Sequence, residues 1–401
     1  MCLPGSYNWS SKLSLFATAA RKGKGMIWKR AVVVLCAIVL SAPAYSADFD
    51  SLLRQARQLD RDGSIQQAVS LCNAIIKLRP GATFEPRVRF FLGNLLIKSH
   101  ASTESISAQF SEIANAFPNS PEAPGALLRI GYLRDAVNAT PTEWQQLVDK
   151  YPQSKEAARA LYRLGFIALK QRDPELALER FESVAKIANA DSNLIDDSRV
   201  QAGYAHISRY WKSKDKSVLK DGADVFQALS ASTKAGLPSV RAHLGLGEIY
   251  LIQGNGEAAA TQYQAAIAAK PANAYLQGIA QFGLGCALYT KHDNSGAEAA
   301  LGQFLANIKG ASLAEKDRAW KLARPGYANY AESDPARAAG LSGLDLVTTA
   351  DYWRAASLVE LKRYADAMSI ITELQPMAGR RFASRVENLR KICAHELRED
   401  R

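Results

Sequence analysis

The chain lacks every common mark of a membrane-spanning or catalytic protein, and each shortage removes a class. Its most compact apolar run, Ala31 to Leu40, is far shorter than the roughly 20 residues a membrane helix needs. Five cysteines are scattered at Cys2, Cys36, Cys72, Cys286 and Cys393, so no disulfide framework is implied, and buried free thiols are the expectation for the last three. Five histidines (His100, His206, His243, His292 and His395) form no HExxH or His/Cys cluster. Walker, GxGxxG and GxSxG loops are missing. Ser217-Val-Leu-Lys220 has SxxK spacing, but it stands in a Lys-rich stretch without the companion motifs such a nucleophile needs. The expectation is a protein that binds and does not catalyse, with no metal and no cofactor.

Acidic residues are absent from the first 46 positions, and six basic ones are present there. Lys29-Arg30, the apolar run and Ala44-Tyr45-Ser46 have the order of a secretory signal peptide, with small residues at both recognition positions before Ala47. The expected division is an upstream extension over 1–25, with Met26 as the true start, and a signal peptide over 26–46. Competing readings are a mitochondrial transit peptide and, at Cys36, a lipid anchor. The leader also accounts for much of the charge. Without it, 44 basic residues face 39 acidic ones, so +11 falls to about +5 and the case for a nucleic-acid partner weakens. A basic bias persists at Arg380, Arg381, Arg385, Arg390 and Lys391, either a solvated face or a contact for an acidic partner or an envelope surface.

What is present in abundance is repetition. Phe117-Pro-Asn-Ser-Pro-Glu-Ala and Ala126-Leu-Leu-Arg-Ile-Gly131 return as Tyr151-Pro-Gln-Ser-Lys-Glu-Ala and Ala160-Leu-Tyr-Arg-Leu-Gly165, 34 residues later. Such a period marks a helix-turn-helix array, in which no unit buries its apolar face alone. Gly93, Gly131, Gly165, Gly203, Gly247 and Gly285 occupy one phase inside apolar helical patterns. A helical Gly costs roughly 1 kcal/mol against Ala, so close packing must outweigh propensity there. Ala68, Ala177, Ala259 and Ala297 are the expected facing residues in the second helix, each followed four residues later by a larger one (Cys72, Phe181, Tyr263, Leu301). From Ala56 the slots are 37, 38, 34, 38, 44 and 38 residues apart. The widest interval contains polar Lys212 to Lys220, expected as an extended loop before a helix near Val225 to Leu229. A second irregular zone, Gly310 to Gly343, contains Pro325, which would kink or end a helix running from Ala314.

His243, Leu246, Gly247, Tyr250, Ala259, Tyr263, Ala266 and Pro271 fill the eight positions of the tetratricopeptide repeat, and at this point the chain resembles that family. The resemblance implies an all-α, right-handed superhelical solenoid over 47–310 and irregular helical hairpins of the same kind over 311–401. It also implies that first-helix residues one after the small slot, or three before it, line a concave face. Those are Phe90, Asn94, Leu128, Tyr132, Tyr162, Phe166, Val200, Tyr204, Leu244, Glu248 and Phe282, with Tyr289 one turn on. Two outcomes follow for this aromatic row: a groove for an extended peptide or helix, or rings buried between units. The Lys and Asn clamp that some cytosolic relatives use for a C-terminal carboxylate is not reproduced. Within the family the chain is similar to periplasmic repeat proteins, implying a non-catalytic scaffold for a protein or peptide partner in envelope assembly or secretion, with peripheral membrane association allowed. The alternative is a superhelical subunit of, or an enzyme acting on, peptidoglycan or exported polysaccharide.

N-terminal sequencing of the protein recovered from the envelope should begin at Ala47. A product that retains Trp28 would contradict the leader assignment.

Overall fold

The computed structural model describes residues 48–135, 142–231, 236–269, 274–308, 343–376 and 380–399, and among them it has seventeen helices and no strand. They are α1 (Phe49–Arg61), α2 (Ile65–Lys77), α3 (Glu85–Lys98), α4 (Thr103–Ala116), α5 (Ala123–Asp135), α6 (Thr142–Lys150), α7 (Lys155–Lys170), α8 (Pro174–Val184), α9 (Ser192–Ser213), α10 (Val218–Ser230), α11 (Leu237–Gln253), α12 (Gly256–Ala268), α13 (Ala274–Thr290), α14 (Asn294–Ile308), α15 (Gly343–Glu360), α16 (Tyr364–Leu374) and α17 (Arg380–Glu399). Consecutive helices pack as hairpins, an α solenoid. The leader, Pro271, and the zone from Gly310 with Pro325 lie outside the described residues.

Six of the described hairpins turn by one device. Seven residues after the small slot, helix A ends in a left-handed residue: Gly63, His100, Arg172, Gly254, His292 or Lys362, with φ between 54° and 79°. The N–H of the next residue then donates to the carbonyl five positions back, as in Ser64 to Leu59, Asp173 to Ala168, Asn255 to Tyr250 and Asp293 to Leu288, at 2.8 to 2.9 Å. This satisfies helix-end carbonyls that would otherwise have no partner. Asp173, Asn255 and Asp293 also cap helix B, their side chains accepting from the backbone N–H three residues on at 2.9 to 3.0 Å.

The hairpin of Gly203 departs from this pattern. Its helix, α9, runs for 22 residues, and its left-handed residue is Lys214 (φ 61°), one helical turn late. The extended loop expected over Lys212 to Lys220 is therefore incorrect: α9 continues to Ser213 and α10 starts at Val218. Polar side chains fold the short link between them. Ser213 Oγ accepts from the Asp215 N–H, and Asp215 accepts from both the N–H and the hydroxyl of Ser217.

The glycine phase records how the helices of a hairpin meet. A Cβ on Gly93 would stand 2.6 Å from the Phe110 ring, on Gly131 2.8 Å from Trp144, and on Gly165 2.5 Å from Phe181. For Gly203 the obstacle is Phe226 at 2.5 Å, for Gly247 it is Tyr263 at 2.7 Å, and for Gly285 it is Leu301 at 2.5 Å. Real Cβ atoms do not approach so closely. The residue facing each slot is thus the large one, while Ala68, Ala177, Ala259 and Ala297, expected there, are fully buried a turn earlier. Gly245 and Gly283 meet the other side of Phe226 and Tyr263, so each of those two rings is held between glycines of successive A helices.

The described helices group into two compact units that divide at Ala126/Leu127, inside α5. The first has a core of Ala56, Ala68, Cys72, Ile75, Val88, Leu92 and Leu95. In the second, Val200, Tyr204, Phe226, Ile249, Leu301 and Phe304 share one cluster, and Ala355, Leu358, Ala367, Ile371, Leu374, Val386 and Cys393 form another at its end.

Gly165→Ala should destabilise the protein by about 1–3 kcal/mol, because the added methyl overpacks against Phe181, and Gly165→Leu should cost more. Phe181→Leu in the Gly165→Ala background should recover part of the loss, read as a positive coupling in a denaturant double-mutant cycle. Additive effects would show that the two side chains do not meet.

Candidate functional site

The aromatic row divides into open and closed members. In the first unit, Phe90 and Asn94 are half-buried on α3, with Phe90 edge-on to Phe110 at 5.5 Å. In the second, Tyr132 is 40% exposed and packs edge-on against Trp144, which is fully buried. Tyr162 and Phe166 are half-buried and form a three-ring cluster with Phe181, centroids 5.0 to 5.8 Å apart. Tyr289, also half-buried, lies 4.8 Å from Trp353.

Three members of the row are interior, the second of the two outcomes open to these positions. Tyr204 packs edge-on against Phe226 at 5.2 Å, and its hydroxyl donates to the carbonyl of Arg241. Phe282 lies 5.4 Å from Phe304 within the same core cluster. Glu248 is 5% exposed. Leu128, Val200 and Leu244, of the same phase, are buried as well. The bulk of the neighbouring rings covers these positions, and residue spacing along one helix carries no information about that cover.

Sequence reading missed a polar contact between the A helices of successive repeats. Arg241 Nη1 donates to Asp197 Oδ1 at 2.9 Å, with the arginine side chain 6% exposed and the aspartate 38%. Burial pushes the Asp197 carboxyl above its ordinary range, opposed by the Arg241 charge. Burial likewise raises the Tyr162 phenol to about 12, with Arg241 opposing it and Asp197 adding to it. Asp197 and Arg241 each stand six residues before a slot, Gly203 and Gly247. That shared phase was a signal available in the sequence.

Other singled-out groups have local roles. Ser217 binds Asp215, and Lys220 pairs with Asp224 at 2.7 Å, both on the surface. His243 Nδ1 shares a hydrogen bond with Gln262 Oε1 at 2.9 Å. The Cys72 thiol is buried and pushed up to about 12, far from the range of a reactive thiolate. On α17, Arg385 and Lys391 are exposed, whereas Arg390 is held by both oxygens of Glu387.

Helical hairpins packed one after another, most of them turned alike, define a class: an α solenoid. Family models described as tetratricopeptide repeat match residues 159–188 and 220–274, which take in α7–α8 and α10–α12. Over those residues the chain carries tetratricopeptide repeats, a repeat class that serves protein-interaction scaffolds. No curated protein matches it significantly. Among solved structures, a tetratricopeptide repeat protein from Parabacteroides merdae aligns over 86% of this chain and 98% of its own at 11% identity and TM-score 0.36. The Cut9–Hcn1 hetero-tetramer of the APC/C aligns over 91% of this chain and 59% of its own (14% identity, TM-score 0.46). The apo quorum sensor NprR from B. thuringiensis aligns over 83% and 99% (10%, 0.42). Likenesses this distant transfer no partner to this chain.

The Asp351 carboxyl of α15 is raised to about 6, first by burial and then by Glu373, against the lowering effect of Arg354. Glu298 engages that arginine at 2.7 Å. An acid whose folded pKa exceeds its unfolded value, about 3.9, costs the fold stability as pH rises from about 4 through about 6. Asp351→Asn should therefore stabilise the protein at pH 8 and lose that advantage below pH 4, as measured by guanidinium denaturation at the two values.

Proposed function

We propose that the protein is an exported, non-catalytic scaffold of the bacterial cell envelope that holds an extended peptide or a partner helix along the open A-helix aromatics. The observation that carries this reading is Tyr132, a large ring 40% exposed yet edge-on to the fully buried Trp144. A ring set on a rigid neighbour offers contact area at small entropic cost, which is what anchor residues of interfaces require. Tyr162 and Phe166 supply a second half-open anchor against Phe181. Export is supported by the basic, apolar and small-residue order before Ala47.

A photo-crosslinking phenylalanine analogue at position 132 or 162, in cells with an intact envelope, should yield discrete protein adducts, and at Lys391 none. Tyr132→Ala and Tyr162→Ala should then each weaken the captured partner about 30-fold, the equivalent of about 2 kcal/mol, with helical content unchanged by circular dichroism. Adducts confined to Lys391, or unchanged affinity in both tyrosine variants, would refute the open aromatics as the contact.

A further inference from the structure

Four of the five histidines keep contact with solvent, but His206 is buried, at 5% exposed. It stands on α9, three residues after the Gly203 slot, where three helices converge on Gly222 of α10. A Cβ at Gly222 would lie 2.9 Å from the His206 Cβ, and 3.4 Å from both the Gly203 carbonyl oxygen and Ile249 Cδ1 of α11. The seam has no room for a side chain at 222, and His206 walls one side of it. Four residues along α10 is Phe226, the ring held between Gly203 and Gly245 of successive A helices. Whatever disturbs the seam at Gly222 therefore acts on a joint between repeats.

The partner of His206 sets its protonation state. Arg209 Nη1, three residues on, lies 3.4 Å from His206 Nδ1. A guanidinium has donors only, so Nδ1 accepts, and the ring is the neutral tautomer with its proton on Nε2. A proton added at Nδ1 would face the guanidinium N–H. The hydrogen bond would be lost, and two positive charges would stand side by side in a site poor in water. Two charges act on the ring, Arg209 from its own helix and the exposed Asp221 from α10, while Ile249 brings none from α11. Burial first, and then Arg209, hold the imidazole below its ordinary range, against the raising effect of Asp221. A histidine whose folded pKa lies below its unfolded value, about 6.5, costs nothing at higher pH. As pH falls through about 6.5 it costs the closed form stability, because only the opened form takes up the proton.

We propose that His206 makes the α9–α10 seam an acid-sensitive joint of the array. Neutral, it accepts from Arg209 and the seam stays closed; protonated, it is stable only where water reaches it, so acidification opens the hairpin at Gly222 and loosens the seat of Phe226. In an array held by nearest-neighbour contacts the opening is local to that joint. The inference goes beyond the scaffold reading and does not depend on it.

The test is amide hydrogen exchange of the full chain at pH 7.5 and pH 5.5, with rates corrected for intrinsic exchange, alongside nitrogen spectra of the imidazoles. Protection of the α10 amides should fall about five- to tenfold on acidification, the limit for one group that protonates only when open, and that of α7–α8 by less than about twofold. The His206 resonances, assigned by their loss in His206→Asn, should report the Nε2–H tautomer at pH 7.5 and titrate below about 6.5. His206→Asn keeps an acceptor near the Nδ1 position and does not titrate, so its α10 protection should be the same at both pH values. Should that variant not fold, the tautomer and the exchange of the unaltered protein decide. An Nδ1–H tautomer at pH 7.5, acid loss no greater in α10 than in α7–α8, or a His206→Asn variant that loses protection as the parent does would overturn the proposal.

Discussion

A bulky side chain of one helix seated on a residue without a side chain in the next sets the distance at which the helices of a hairpin pack. Phe181 on Gly165 and Tyr263 on Gly247 are the regular cases, each 16 residues after its slot. The same contact joins Phe110 to Gly93, Trp144 to Gly131 and Phe226 to Gly203 at separations of 17, 13 and 23 residues. Chain added or removed between slot and ring leaves the seat unchanged, so the contact, not the count of residues, defines the unit. Each glycine costs about 1 kcal/mol of helix propensity, and burying an aromatic side chain is worth more than that.

This arrangement explains why the repeats tolerate irregularity. In an array whose stability is a sum of unit and nearest-neighbour terms, an insertion in one turn perturbs only its own hairpin. The extra turn of α9 shows where such an insertion goes. It carries Tyr210 and Trp211, with the Lys214 ammonium 4.4 Å from the indole, a cation–π contact that settles an otherwise exposed helix end. Where a second glycine faces the ring, as Gly245 and Gly283 do, successive hairpins share one aromatic, and their stabilities are coupled through it.

The same packing decides which of the chain's aromatics can meet a partner. Tyr204 and Phe282 have the phase of surface residues but lie inside the cluster built by Phe226, Leu301 and Phe304. Tyr132, Tyr162, Phe166 and Tyr289 keep part of each ring open.

Repetition, helical class and the small slots are legible in the amino-acid sequence, because each is a local demand that recurs with the period. Gly165, Gly203 and Gly247 announce a close approach whatever stands opposite. The identity of the opposing group is not local. Phe110, Trp144 and Phe226 are displaced from the regular interval, and only the folded hairpin brings them to their glycines. The left-handed turns at Arg172, His292 and Lys362 escape sequence reading for a related reason: bulky residues rarely adopt that conformation, and the paired hydrogen bonds of the turn impose it. Partner-facing residues can be narrowed by phase to one row, yet burial within the row depends on neighbouring repeats, and the Asp197–Arg241 pair spans 44 residues. Sequence alone determined that this is a helical array with a recurring small slot; tertiary structure decided which side chains fill the slots and which rings remain open, because cover by a neighbour is set by three-dimensional packing.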